Sequence, residues 1–241
     1  MKNQNIFSSK NQKQLNLRED SITVKDTELL PVKISKRPQT DVDKKVIDPK
    51  YYNSFNFSKL SSVFTNTKMT IGITSANQQD GKTLVASNMA VSLARGYNQK
   101  TLLVDMNFTR PKLHKIFSTD LSPGIAEAIY FQKVRVLPTS IDNLYLMTAG
   151  NCKQLPPRIS DTLVLRQILF ALKNKFDFVI IDMSSILPVR DFPIHFINEI
   201  DGLISVIDAQ KTKKGEFNKI FKHLDEDQFI GYVFNRVGED T

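Results

Sequence analysis

MTIGITSANQQDGKT, residues 69–83, is the stretch from which the fold can be read. Met69–Ser75 is apolar and rich in β-branched side chains, the composition of a short buried strand. Ala76-Asn77-Gln78-Gln79-Asp80 then makes a polar turn that closes on Gly81-Lys82-Thr83, and a helical pattern opens near Thr83. Strand, turn and helix in that order are the setting required by the phosphate-loop pattern G-x-x-x-x-G-K-[ST], here with Ala76 at its first glycine position. The chemistry follows from the backbone. A tight loop turns successive N–H groups inward, and the helix N-terminus adds positive potential, so a polyphosphate is held. Gly81 allows close approach to the anion, Lys82 is expected to reach the β- and γ-phosphates, and the Thr83 hydroxyl to ligate Mg²⁺. Ala76 through Leu84 is therefore the expected cradle, with ATP and Mg²⁺ the expected ligands.

Outward from this stretch the same alternation continues. Further β-branched runs are Thr101–Met106, Leu144–Thr148, Phe176–Met183, Leu203–Ala209 and Phe229–Phe234, with helical patterns at Leu84–Arg95 and Thr162–Lys175 between them. Nearly continuous hydrophobicity in such runs implies strands covered on both faces, as in parallel sheets. The expected fold is α/β, a doubly wound, mostly parallel sheet of the P-loop NTPase kind. Toward the N-terminus the composition breaks. All nine glycines lie at or after Gly72, and Met1–Lys68 is polar, with Pro31, Pro38 and Pro49 interrupting it. Residues 1–68 are expected to form a largely flexible arm with a short helix near 51–64, and residues 69–241 the nucleotide-binding domain.

Two carboxylates stand at strand ends. Asp105 follows Leu102-Leu103-Val104, and Asp182 follows Phe178-Val179-Ile180-Ile181, which places both at the carboxyl edge of the sheet beside the phosphate loop. Asp182 has the position of a Walker-B acid that holds Mg²⁺ directly or through water, and Asp105 is suited to the metal's water shell or to accepting a proton. Capping of a turn is the plain alternative for either. Lys82, Asp105 and Asp182 are thus the expected catalytic residues, and Thr83, Asp105 and Asp182 the expected metal residues.

Over 241 residues, 33 basic against 25 acidic side chains leave a net charge of +8, compatible with a polyphosphate, an anionic membrane face or nucleic acid. No clustered run such as four consecutive Lys or Arg residues appears, and a nucleic-acid partner is not expected. No apolar run reaches the roughly 18–20 residues of a membrane span, and Met1–Gln14 lacks the apolar core of a secretory signal. With a single cysteine, Cys152, an internal disulfide is excluded, and the expected location is the cytoplasm.

Thr101-Leu-Leu-Val-Asp105-Met-Asn107-Phe-Thr-Arg110-Pro111 resembles the second Walker motif, A′, of the bacterial tyrosine autokinases of capsule and exopolysaccharide synthesis. Leu113-His114-Lys-Ile-Phe117, Leu121-Ser-Pro-Gly124-Ile, Asn143–Gly150, Pro156-Pro157, Phe176–Asp182 and Gly231-Tyr-Val-Phe-Asn235-Arg236-Val237 resemble the same family in the same order. The resemblance implies an ATP- and Mg²⁺-dependent kinase domain working with a membrane chain-length or export protein. That partner is expected to be a separate chain, which would bring this protein to the inner face of the membrane. A homo-oligomer is a further expectation. Lys82 and Thr83 match the Walker-A pair, Asp105 the first A′ acid and Asp182 the Walker-B acid, and Asn235 stands where related ATPases read the purine base.

Four departures accompany the resemblance. Asn107 replaces the second A′ acid, and an amide cannot accept a proton as a base. Ser184-Ser185 replaces a common Pro-Pro, which should loosen that loop. The segment before Met69 lacks the Glu-x-x-Arg-x-x-x-Arg pattern of ring-forming members, and no tyrosine cluster follows Tyr232. An acceptor is then expected elsewhere, with Tyr51 or Tyr52 as candidates. Two other readings stand beside the kinase. One is a non-catalytic, nucleotide-gated adaptor of the same system. The other is a partition-type ATPase, against which the absence of a lysine from Asn77-Gln78-Gln79-Asp80 argues.

Overall fold

The computed structural model describes residues 30–36, 41–53, 68–187, 194–222 and 224–237. Eight strands form one sheet: β1 (Val32–Ile34), β2 (Met69–Ser75), β3 (Thr101–Met106), β4 (Val134–Pro138), β5 (Leu144–Met147), β6 (Phe178–Met183), β7 (Gly202–Asp208) and β8 (Phe229–Asn235). Their order across the sheet is β1-β4-β5-β3-β6-β2-β7-β8. Every pair is parallel except β4 with β5. The helices are α1 (Pro49–Tyr52), α2 (Lys82–Val91, continued by a π-helical turn over Ser92–Gly96), α3 (Leu113–Ile116), α4 (Ile125–Phe131), α5 (Thr162–Lys173) and α6 (Lys214–Ile220).

The central strands β2, β3, β6 and β7 are largely apolar because apolar residues cover both of their faces. One core includes Leu102, Val104, Val179 and Ile181 with Leu165, Ile168 and Leu172 of α5. The other includes Ile71, Ile73, Leu103 and Ile180 with Val85, Ala86, Met89 and Ala90 of α2. All six residues of β3 and of β6 are buried. The doubly wound, mostly parallel sheet expected of the P-loop pattern is the fold observed. Its consequence for the site lies in the order β3-β6-β2. Three buried parallel strands end together, and the segments that follow them share one edge.

The N-terminal segment departs from the expected arm where it is described. Val32–Ile34 adds a parallel strand to β4, in register Val32 with Val134 and Ile34 with Val136. The Asp43 N–H donates to the Ile116 carbonyl at 2.7 Å, the Asn88 amide donates to the Val46 carbonyl at 2.8 Å, and Ile47 is buried against α2. Residues 30–36 and 41–53 are therefore packed on the domain and not apart from it. Single apolar side chains (Val42, Val46, Ile47, Tyr52) each land on a surface that other elements have built, so no periodicity marks them in the sequence. The expected helix near 51–64 begins earlier, with Asp48 capping Pro49–Tyr52, and its remainder from residue 54 lies outside the described residues.

Candidate functional site

The turn after β2 is held by its own side chains. The Asp80 carboxylate is buried and accepts the Asn77 N–H at 3.0 Å. The Lys82 ammonium, 5% exposed, donates to Ser75 Oγ at 3.0 Å and to the Asn77 carbonyl at 3.2 Å. Gln78 and Gln79 stand exposed at the tip, with Gln79 at φ 69°. Gly81 has φ 103°, and a Cβ there would lie 2.1 Å from the Asn235 amide nitrogen. That amide donates to the Asp80 carbonyl at 2.9 Å, so Asn235 of β8 braces the loop. The role expected of it from sequence, contact with the purine, is thus joined by a structural one that the sequence does not announce. Ala76 is buried, and Leu84 is half-buried in the first turn of α2. The first N–H groups of α2 have no intrahelical partner, as at any helix start, and no side chain of the N-cap residue Gly81 caps them.

The two expected acids come together with this loop. Asp105 and Asp182 are direct register partners on β3 and β6. The Thr83 hydroxyl donates to Asp182 Oδ2 at 2.7 Å, while the buried Asp182 Oδ1 has no hydrogen-bond partner among the described residues. Asp105 is wrapped by the turn that follows β3. Its Oδ1 accepts the Asn107 N–H at 3.1 Å, and its Oδ2 accepts those of Lys112 at 3.0 Å and Leu113 at 3.1 Å. Burial, together with the charge of Asp182, raises Asp105 to about 8. Burial raises Asp182 to about 6, opposed by the Thr83 hydroxyl and the Lys82 and Lys112 charges. Lys82 is lowered by burial against the pull of Asp182 and Asp80.

An orphaned carboxylate oxygen, a neighbouring hydroxyl and a second acid form an oxygen donor set suited to Mg²⁺, a hard cation that keeps water and leans on phosphates. Among the described residues no group of three or more His, Cys, Asp or Glu side chains is arranged to hold a metal by itself. The donor set therefore fits a metal that arrives with a polyphosphate.

Two local features depart from expectation. The Asn107 Oδ1 accepts from the Thr109 hydroxyl at 3.1 Å and the Arg110 N–H at 3.2 Å, so this side chain closes its own turn. Ser184 and Ser185 do not loosen the segment after β6. Both are buried, the Thr74 hydroxyl donates to the Ser184 carbonyl at 2.9 Å, and Ser185 Oγ donates to the Leu187 carbonyl at 2.9 Å. The hydroxyl does by hydrogen bonding what a proline ring does by restraint. Two further residues at the site escape sequence reading. Ser75 holds Lys82, and Glu216 of α6 accepts the Asn77 amide at 3.0 Å. A hydroxyl at a strand end and a glutamate 139 residues away carry no motif.

No protein-family model matches the chain. CapB of Staphylococcus aureus is 26% identical over 225 residues, covering 90% of this chain and 93% of that protein. The tyrosine-protein kinase CpsD of Streptococcus agalactiae NEM316 is 26% identical over 177 residues, covering 71% and 75%. The chain is similar along most of its length to these bacterial tyrosine-protein kinases. Solved structures share its fold. The chimerical protein CapA2B2 superposes with TM-score 0.70 at 22% identity, covering 82% of this chain and 92% of that one. The septum site-determining protein MinD of Pyrococcus horikoshii, complexed with Mg-ADP, superposes with TM-score 0.58 at 21% identity, covering 70% and 71%. Among the described residues, no helix is long and apolar enough to cross a membrane.

Proposed function

We propose that the chain binds ATP with Mg²⁺ and serves as the kinase component of a capsule or exopolysaccharide system, transferring the terminal phosphoryl group to a tyrosine. The observation that carries this reading is the Thr83 hydroxyl bonded to Asp182, whose second oxygen is buried and unpartnered, beside Lys82 and in register with Asp105. When bound, Mg²⁺ neutralises charge on the terminal phosphates. The residues of the chain do the remainder. Amides of Asn77–Thr83 and the start of α2 bind phosphate oxygens. Lys82 exchanges Ser75 Oγ and the Asn77 carbonyl for the phosphates, a move its short contacts make local. Asp105, held above the usual carboxylate range by burial and by Asp182, accepts the proton of the attacking phenol. Asn235 keeps the loop in place and would meet the base of a bound nucleotide.

The kinase acts on, or is gated by, a separate membrane protein that sets chain length or export, and works at the inner face of the membrane. The name of the chimerical neighbour CapA2B2, which joins an A and a B component, supports a two-component arrangement. A second reading is favoured by one observation. Asn107 closes its turn and offers no base, as in an adaptor that binds ATP and signals without transfer. The two separate on one experiment: incubation of the chain with its cellular membrane fraction and γ-labelled ATP, with Asp105→Ala alongside. Protein-bound label that falls at least about a hundredfold in the variant is expected. Released phosphate without protein label would replace the kinase by the adaptor.

A further inference from the structure

Lys112 is the residue that the motifs leave without a role. It closes the turn after β3, and its N–H donates to Asp105 Oδ2 at 3.0 Å, so its backbone is pinned to one of the two acids. The strand order β3-β6-β2 then fixes what it faces. Asp182 stands on the middle strand. Thr83, in the first turn of α2, bonds it from the β2 side, and Asp105 with the Lys112 turn stands on the other side. The Lys112 side chain is exposed and makes no ion pair among the described residues. Its backbone is fixed against Asp105, which stands in register with Asp182, so the side chain springs from the rim of the same cleft. Arg110, the other cation of the turn, is exposed, and its N–H is bonded to Asn107 Oδ1 and not to either acid. A cation on that rim is suited to meet an anion bound in the cleft, and a phosphate group is such an anion.

Resting on the nucleotide reading above, we propose that Lys112 is a second phosphate-binding cation that contacts the terminal phosphate of a nucleoside triphosphate from the β3 side, while Lys82 contacts it from the β2 side. Phosphates nearer the nucleoside are held by the loop amides, out of reach of the turn after β3. Lys112 therefore discriminates triphosphate from diphosphate.

The test is calorimetric titration of Mg·ATP and Mg·ADP into the full chain, its Lys112→Gln and Lys112→Arg variants, and Lys115→Gln as an exposed control on α3. Lys112→Gln is expected to weaken Mg·ATP about tenfold and Mg·ADP less than about twofold. Lys112→Arg should recover most of the difference, and the ratio should shrink as salt rises. Lys115→Gln should match the parent for both nucleotides. Equal weakening of both nucleotides, or none, overturns the assignment of Lys112 while leaving the nucleotide site intact. A parent chain that binds neither nucleotide overturns the site itself and Lys112 with it. Unchanged thermal unfolding of Lys112→Gln is the control for folding, since among the described residues the hydrogen bonds of Lys112 are all made by its backbone.

Discussion

Asp182 is the residue on which burial and chemistry conflict most openly. It is fully buried, one oxygen bonds Thr83, and the other bonds nothing among the described residues. Its neighbour Asp105 is equally buried and titrates near 8, against about 4 for a carboxylate in an unfolded chain. Between those values the folded chain holds more protons than the unfolded one, so the stability of the ligand-free protein declines as pH rises through that window. Asp182→Asn removes one of the two facing charges. Its melting temperature should exceed that of the parent at pH 8 and differ less at pH 5, by roughly 2–4 °C for each kcal/mol relieved. Scanning calorimetry at the two pH values decides this, and a variant that melts lower at pH 8 contradicts it. Such a gain in stability at the expense of ligand binding is what a site kept for function predicts. Both acids are legible from sequence because apolar strands end in them. Their direct opposition is not, since it depends on β6 lying between β2 and β3.

At the scale of the element, the loop from Ala76 to Gly81 is a small structure with its own restraints. Asp80 holds Asn77 from within, Glu216 holds it from α6, and Asn235 holds the Asp80 carbonyl from β8. Gly81 is the position with least tolerance, because its φ of 103° and the nearby Asn235 amide both exclude a side chain. Gly81→Ala should cost at least about 1–2 kcal/mol from the backbone alone, read as a lower urea midpoint. A midpoint equal to that of the parent would show that the loop is not braced in this way. The motif identifies the loop and its glycine, but the braces come from residues far along the chain. Ser184-Ser185 teaches the same lesson in reverse. Read as a string the pair lacks the stiffness of proline, and only the fold supplies Thr74 and Leu187 as partners.

For the whole molecule, hydrophobic patterning carries the architecture. The strands Met69–Ser75 and Thr101–Met106 coincide with their expected bounds, and α5 differs from its pattern at one end only. Val32–Ile34 and Val134–Pro138 escaped that reading. β1 is only three residues and half exposed, and β4 pairs antiparallel with β5 near the sheet margin, so neither shows the dense apolar run of a central strand. What the architecture achieves is to bring the ends of β2, β6 and β3 to one edge, so that a loop, a hydroxyl and two acids meet over two apolar layers. That this edge seats a nucleotide with its metal is the central claim. Mn²⁺ in place of Mg²⁺ tests it most directly, followed by electron paramagnetic resonance as ADP is added to the full chain, to Lys82→Met and to Asp182→Asn. The account predicts protein-bound Mn²⁺ that requires ADP in the parent and weakens at least about tenfold in each variant. Mn²⁺ and ADP binding equally well to all three would contradict it.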